Sequence, residues 1–295
     1  MTTTQTAQRR APRMDPALLW ILLPILAFFT ITIAIPTVIG IVMSFTNSVG
    51  YGDFQFIGFT NYIALFSDPA ILASYGFTFG FAIVTVIVVN AVGFFLALGL
   101  TSKIRLRTPL RTVFVMPMVV SGIVIAFVFN FIFSQSLPGI GEALGIQWLS
   151  SNILANKDLA WIAIVIVTAW QAIPGTLLIY IAGLLSVPGE VYEAADLDGA
   201  SPTAKLLHIT LPLVASYVSI NMILGVKNFL NAYDIIVGLT DGGPGIATRS
   251  IAMTIFKGSN GGDYAYMMAN AIIFFILVIA ISLVQLRLTR KGEQA

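Results

Sequence analysis

The chain has no cysteine, a single histidine (His208), and few charges: Asp, Glu, Lys and Arg make up 9% of its 295 residues. Without cysteine there can be no disulfide, thiolate nucleophile or zinc–thiolate site, although this leaves the redox compartment open. One histidine cannot build a histidine metal site or a charge-rich proton pathway. No Gly-Lys-Ser/Thr phosphate loop, His-Glu-x-x-His or Gly-x-Ser-x-Gly occurs, so the chain is expected to hold no nucleotide, metal or catalytic site of its own. Ordinary soluble domains are about 25% charged. A chain that is 58% hydrophobic and so poor in charge cannot cover a water-facing surface, and the excess must face lipid.

Crossing about 30 Å of hydrocarbon takes about 20 apolar residues at about 1.5 Å each. Six runs qualify: about Leu18–Phe45, Tyr75–Leu100, Thr112–Phe133, Leu159–Leu184, Ile209–Leu230 and Met267–Leu286. None contains an acidic residue, and only Lys227 brings a formal charge. Pro24, Pro36, Pro117, Pro174 and Pro212 lie within or at the ends of these runs and predict kinked, packed helices. No repeat, heptad pattern or low-complexity tract is visible. The reading is one all-α membrane domain over 18–286, with a polar, basic, disordered N-tail (1–17) and a basic C-tail (287–295). Arg9-Arg10 also allows a twin-arginine export signal. No small-residue cleavage site follows, and the apolar run is too long for a signal core, so an uncleaved anchor is expected.

Lysine and arginine set the direction. Arg9, Arg10 and Arg13, then Lys103, Arg105, Arg107 and Arg111, then Lys205, then Arg287, Arg290 and Lys291 all fall on one side of a six-span chain. The other side holds only Lys157, Arg249 and Lys257. The positive-inside rule places the first side, with both termini, in the cytoplasm.

On that side the loop of about 186–208 forms an acidic island. Glu190, Glu193, Asp196 and Asp198 precede the first basic residue, Lys205. Pro188 suits a first helical turn, and early acids favour the helix's positive end. Gly199 suits a left-handed stop, and Ser201-Pro202 a new N-cap and first residue. Val191, Ala194, Ala195 and Asp198 fall at helical spacing, predicting a small, smooth face. An ordinary connector resting on lipid is the plain alternative, but such connectors are normally basic. Four acids favour a protein partner. His208, where the next span begins, reads as an interfacial structural histidine rather than a proton relay.

The residues Glu193-Ala194-Ala195, Asp198-Gly199-Ala200, Leu206, His208, Ile209 and Leu211-Pro212 resemble the EAA loop of binding-protein-dependent ABC importer permeases. Two positions depart from that pattern: Leu206 stands where an aromatic is frequent, and Ser216 where a second proline often follows. The resemblance implies a type I ABC importer permease architecture, six spans with a cytoplasmic coupling helix, in the plasma (inner) membrane. Glu190, Glu193, Ala194, Ala195, Asp198 and Gly199 would couple it to a separate ATPase. It further implies a second permease subunit, commonly a different chain, two ATPase subunits carrying ATP and Mg, and an extracellular or periplasmic solute-binding protein. Nucleic acid has no place in it.

After the fifth span come Tyr233-Asp234 and then Leu239-Thr240-Asp241-Gly242-Gly243-Pro244-Gly245. Glycine and proline at this density predict a tight external turn. With Gly58–Tyr62 (GFTNY), this segment resembles carbohydrate-type importer permeases, where an aromatic-Asp pair precedes L-T-x-G-G-P. The implied solute is a sugar, oligosaccharide or polyol phosphate. A sugar path needs aromatic faces and neutral hydrogen-bonding groups. Trp170, Gln171, Asn221, Asn228 and Asn270 are the candidates, with Asn90, Asn130 and Asn231 beside them. Amides buried in lipid also glue helices together, and each of these can play that part. An ATP-independent, ion-coupled carrier is the other transport reading. It needs a membrane-embedded acid, which none of the six runs supplies.

Overall fold

The computed structural model describes residues 16–102, 107–147 and 149–292. Arg9, Arg10, Arg13, Lys103 and Arg105, on which part of the orientation rests, lie outside the described residues, as does most of the expected N-tail. Regular structure among the described residues is helical, apart from one antiparallel bridge between Thr46 and Phe56. In chain order the helices are α1 (Trp20–Met43), α2 (Thr60–Leu65), α3 (Pro69–Thr101), α4 (Arg107–Val115), α5 (Gly122–Leu144) and α6 (Lys157–Ser186). They continue as α7 (Gly189–Leu197), α8 (Pro202–Leu213), α9 (Ala215–Leu230), α10 (Asp234–Thr240), α11 (Ile251–Asn260) and α12 (Tyr264–Gly292).

Five helices are long and apolar enough to cross a membrane, and α8 with α9 make a sixth, broken span. Side-chain caps start them where apolar content alone does not show. The Asp68 carboxylate accepts from the amides of Ala70 and Ile71, so α3 begins six residues before the expected Tyr75. Asn156 accepts from the Asp158 amide and starts α6 at Lys157. At the other end of the chain α12 runs on to Gly292, so the expected tail at 287 is still helix.

Two expected spans are not single helices. The run Thr112–Phe133 divides into α4, a 3-10 turn at Met116–Val119 containing Pro117, and α5, which extends to Leu144. Val120 and Ser121 are extended there, so the chain turns a corner before α5. The longer α5 takes in Glu142, exposed in its last turn. The fifth span bends by 66° between α8 and α9, at Val214.

Three π turns occur among the described residues, at Thr30–Ala34, Ile132–Ser136 and Leu206–Thr210. Each ends two residues before a proline: Pro36, Pro138 and Pro212. A proline ring clashes with the carbonyl four residues back and lacks an amide, and a wider turn relieves the clash. Pro24 and Pro174, where kinks were also expected, sit inside uninterrupted helix. One missing amide is tolerated where the carbonyl's other neighbours remain.

The core is built on α3 lying along α6, with α9 beside α3. Phe81, Val86 and Val89 of α3 meet Ile164 and Val167 of α6, Ile236 and Leu239 of α10, and Ile251 and Met253 of α11. Lipid gives no hydrophobic drive between helices, so close packing and polar links must hold them. The Tyr180 hydroxyl donates to Asn90 Oδ1 at 2.7 Å, and Tyr75 donates to Asn270 Oδ1 at 2.9 Å. The amide of Ile251 donates to Thr78 Oγ1 at 2.9 Å. At the crossing of α10 and α5, a Cβ on Gly238 would stand 2.5 Å from the Ala126 Cβ. Gly238→Val is therefore expected to lower stability by about 1–3 kcal/mol, as overpacking does. Thermal unfolding in detergent reads this out, and an unchanged midpoint would contradict the close crossing.

Candidate functional site

Two groups of residues stand out, one just beyond the end of α6 and the other beside its middle. The first is α7 and its return into α8. The C-terminal end of α7 closes in a Schellman arrangement: the Ala200 amide donates to the Ala195 carbonyl at 2.9 Å, and Gly199 donates to Asp196 at 3.1 Å. Gly199 takes φ +71°, a left-handed conformation that costs a Cβ-bearing residue about 1–2 kcal/mol. Ser201 Oγ then accepts from the Ala204 amide, so the new N-cap lies where the Ser-Pro pair indicates. Pro188 is itself the N-cap of α7 rather than a residue within its first turn.

The rotation of α7 is set by Tyr192, whose hydroxyl lies 3.0 Å from Thr210 Oγ1 of α8. With Tyr192 inward, Ala195 follows and is only 7% exposed. Glu190, Glu193, Ala194 and Leu197, spaced i, i+3, i+4 and i+7, then face outward. This corrects the expected smooth face of Val191, Ala194, Ala195 and Asp198: the two alanines separate, one inward and one outward. The outward face instead carries Leu197, 90% exposed and missing from the sequence-derived set. Its only sequence signal was an apolar residue between two acids. Asp196 is paired with Lys205. Three acids, Glu190, Glu193 and Asp198, thus remain on exposed positions clear of that pair. His208 Nδ1 lies 3.1 Å from the Ala204 carbonyl, a contact within its own helix.

The second group lines a cavity of about 410 Å³ between α5, α6 and the segment joining α9 to α10. It brings together Gln171, Asn228, Asn231, Tyr233 and Asp234 from the expected residues, and adds Thr168. Gln171 Nε2 donates to the Val120 carbonyl at 3.1 Å, at the corner before α5. Asn231 Nδ2 donates to the Lys227 carbonyl at 2.8 Å, and the Tyr233 ring stands edge-on to Phe256. Thr168, only 6% exposed, has no hydrogen-bond partner for its buried hydroxyl. A buried hydroxyl left unpaired costs stability, and this one is closed off from the cavity beside it.

The remaining candidates lie elsewhere. Trp170 precedes Gln171, so it points about 100° away around α6. It lies edge-on to Phe129 beside an apolar groove of about 620 Å³ lined by Val92, Met116 and Ile173 among others. Asn221 is buried and donates to the Thr176 carbonyl at 3.3 Å, and Asn270 is buried against Tyr75. Both join helices in this structure. Lys227 is exposed on α9 and does not line the cavity. The segment from Asp241 to Gly245 is internally braced: Thr248 Oγ1 donates to the Gly243 carbonyl at 2.6 Å, and Lys257 Nζ donates to Asp241 Oδ1 at 2.6 Å. None of Gly242, Gly243 and Pro244 lines that cavity; Gly243 and Pro244 line a separate one of about 500 Å³ with Asn130 and Asn152.

The chain as a whole resembles known proteins. The family described as "Binding-protein-dependent transport system inner membrane component" matches residues 89–292. The "Probable starch degradation products transport system permease protein AmyD" of Thermoanaerobacterium thermosulfurigenes is 34% identical over 92% of each chain. The "Multiple sugar-binding transport system permease protein MsmF" of Streptococcus mutans is 33% identical, covering 86% of this chain and 88% of its own. Among solved structures, one chain of a bacterial ABC transporter "involved in the import of the acidic polysaccharide alginate" superposes with a TM-score of 0.82. That chain is 19% identical and the match spans 93% of this chain and 95% of the other, which shows a shared fold.

The unpaired Thr168 hydroxyl gives a direct test of the packing beside the cavity. Thr168→Val keeps the shape and removes the group, so stability should be unchanged or rise by up to about 1–3 kcal/mol, the cost of an unsatisfied buried hydroxyl. Thermal unfolding in detergent measures it. A clear loss of stability would mean the hydroxyl has a structural partner.

Proposed function

This chain belongs to the binding-protein-dependent transport system inner membrane components, and from that premise we propose that it is one half of the pore of an ATP-driven carbohydrate importer. The observation that carries this reading is the outward face of α7. Glu190, Glu193 and the 90%-exposed Leu197 sit on a short helix hydrogen-bonded to α8 and joined to the end of α6 through the extended Val187 and Pro188. An exposed leucine ringed by carboxylates is a poor surface for water or for anionic lipid. It suits a cleft with an apolar floor and basic rim on a partner ATPase, where charge-assisted hydrogen bonds can form.

Both termini and α7 are assigned to the cytoplasmic side, and the cavity to the outer half. ATP and Mg belong to two partner ATPase subunits, which move α7 when ATP brings them together. The tie between Tyr192 and Thr210 passes that motion into α8. The bend at Val214 lets α8 swing against α9, which carries Asn228 to the cavity. ATP shifts the two conformations only through its different affinity for each. A second, similar permease completes the pathway, and a solute-binding protein delivers the solute.

A carbohydrate fits the cavity chemistry. Gln171, Asn228 and Asn231 offer neutral donors and acceptors, Asp234 accepts from hydroxyls, and Tyr233 gives an aromatic wall. The relatives named for starch degradation products and multiple sugars point to the same class.

Glu193→Lys tests the coupling. Reversing the charge on the outward face of α7 is expected to cut solute uptake at least about tenfold, or ~1.4 kcal/mol, while the chain still inserts in the membrane. Uptake by whole cells alongside membrane abundance reads both. Undiminished uptake at normal abundance would rule out α7 as the coupling element.

A further inference from the structure

The solute classes implied by the sequence differ in charge: simple sugars and their oligomers are uncharged, whereas polyol phosphates are anions. The lining of the cavity beside α6 separates the two. Asp234 is its one acidic residue, and no Lys or Arg lines it. Lys227 of α9 is exposed and lies outside the lining. The two ion pairs among the described residues, Asp196–Lys205 and Asp241–Lys257, are both elsewhere, so the exposed Asp234 carboxylate has no counter-charge among those residues.

The amides around Asp234 add to its character. Gln171 Nε2 donates to the Val120 carbonyl at 3.1 Å, and Asn231 Nδ2 to the Lys227 carbonyl at 2.8 Å. Each bond uses an N–H and leaves the amide oxygen without a partner among the described residues. Gln171 and Asp234 also stand close to one another. A Cβ on Gly122, the first residue of α5, would lie 3.3 Å from Gln171 Oε1 and 3.7 Å from the Asp234 Cβ. With glycine there, the space beside both is free of a side chain. The lining is thus rich in acceptors and has no cation. A sugar hydroxyl donates to a carboxylate or an amide oxygen. An ionised carboxylate has no proton to donate, a phosphate has at most one, and both meet like charge at Asp234.

We propose that Asp234 sets the charge class of the solute: uncharged carbohydrates pass through the cavity, and polyol phosphates and acidic sugars are turned away. The proposal rests on the carbohydrate-importer reading above and adds to it a specificity-determining residue. The second permease subunit also lines the finished pathway and can bring charges of its own, so the test is made with that subunit in place.

The chain has no cysteine, so a single thiol can be placed in the cavity wall. Ala172 and Ala232 both line it, and Ala172→Cys and Ala232→Cys supply two independent positions. The complete transporter is held in nanodiscs, which leave both faces open to water. Each thiol is then labelled with a cationic methanethiosulfonate (trimethylammonium-ethyl) or an anionic one (sulfonate-ethyl), the anion standing in for a phosphate or a uronate. The mass shift of this chain gives the rates, and each is divided by the rate with free 2-mercaptoethanol. The corrected preference for the cation is expected to be about tenfold at low salt, the factor for unit charges about 6 Å from a carboxylate in a water-like dielectric. Asp234→Asn keeps the shape, removes the charge, and is expected to bring the preference to about one at both positions. Equal rates with Asp234 present would overturn the proposal. So would a preference that survives Asp234→Asn, or an absence of labelling by both reagents at both positions. Asp234→Ser takes the place of Asp234→Asn if the amide variant does not assemble. Labelling requires no transport, so its outcome stands apart from the uptake test of Glu193→Lys.

Discussion

A backbone group in hydrocarbon has no water to fall back on, so every departure from a straight helix must be repaired within the chain. Proline is where this requirement bites. The π turns ahead of Pro36, Pro138 and Pro212 are three instances of one repair, in which the turn widens to make room for the ring. The last of these sits beside the functional face. Leu206–Thr210 supplies both the wide turn and Thr210, the anchor for Tyr192, and the bend at Val214 follows directly. The placement of α7 at the end of the bundle, and the rotation that turns Glu193 and Leu197 outward, follow from how the chain re-enters the membrane at Pro212.

That dependence explains what was legible in the sequence. Local chemistry was readable: the Gly199 stop, the Ser201 cap and the turn around Gly242–Gly245 each rest on residues within a few positions of one another. Apolar runs revealed six spans because hydrophobicity is additive along a stretch of chain. The breaks at Ser121 and Val214 were legible only as kinks expected near Pro117 and Pro212; their sharpness was not, since each divides a continuous apolar run and hydropathy is blind to backbone direction. The starts of α3 and α6 were missed by a few residues because the capping side chains, Asp68 and Asn156, are polar and lie outside the apolar windows.

The site residues divided along the same line. Helical spacing shows which residues share a face, but not which face is turned inward. That choice belongs to Tyr192 and its partner on α8, eighteen residues away. Likewise Asn221 and Gln171 look alike in sequence. One donates to a carbonyl on the neighbouring α6, while the other lines an open cavity, and only the packing of α3, α6 and α9 separates them. Thr168 escaped notice because a threonine in an apolar helix ordinarily bonds its own backbone, and this one does not.

The central claim is that the outward face of α7 is a docking surface for an ATP-hydrolysing partner. The most direct measurement replaces Leu197 with a photo-cross-linking amino acid, activates it in native membranes and identifies the product by mass spectrometry. The account predicts one dominant adduct with an ATPase subunit, formed at a yield that changes when ATP is bound. An adduct with lipid alone, or none in membranes where uptake is intact, would contradict it.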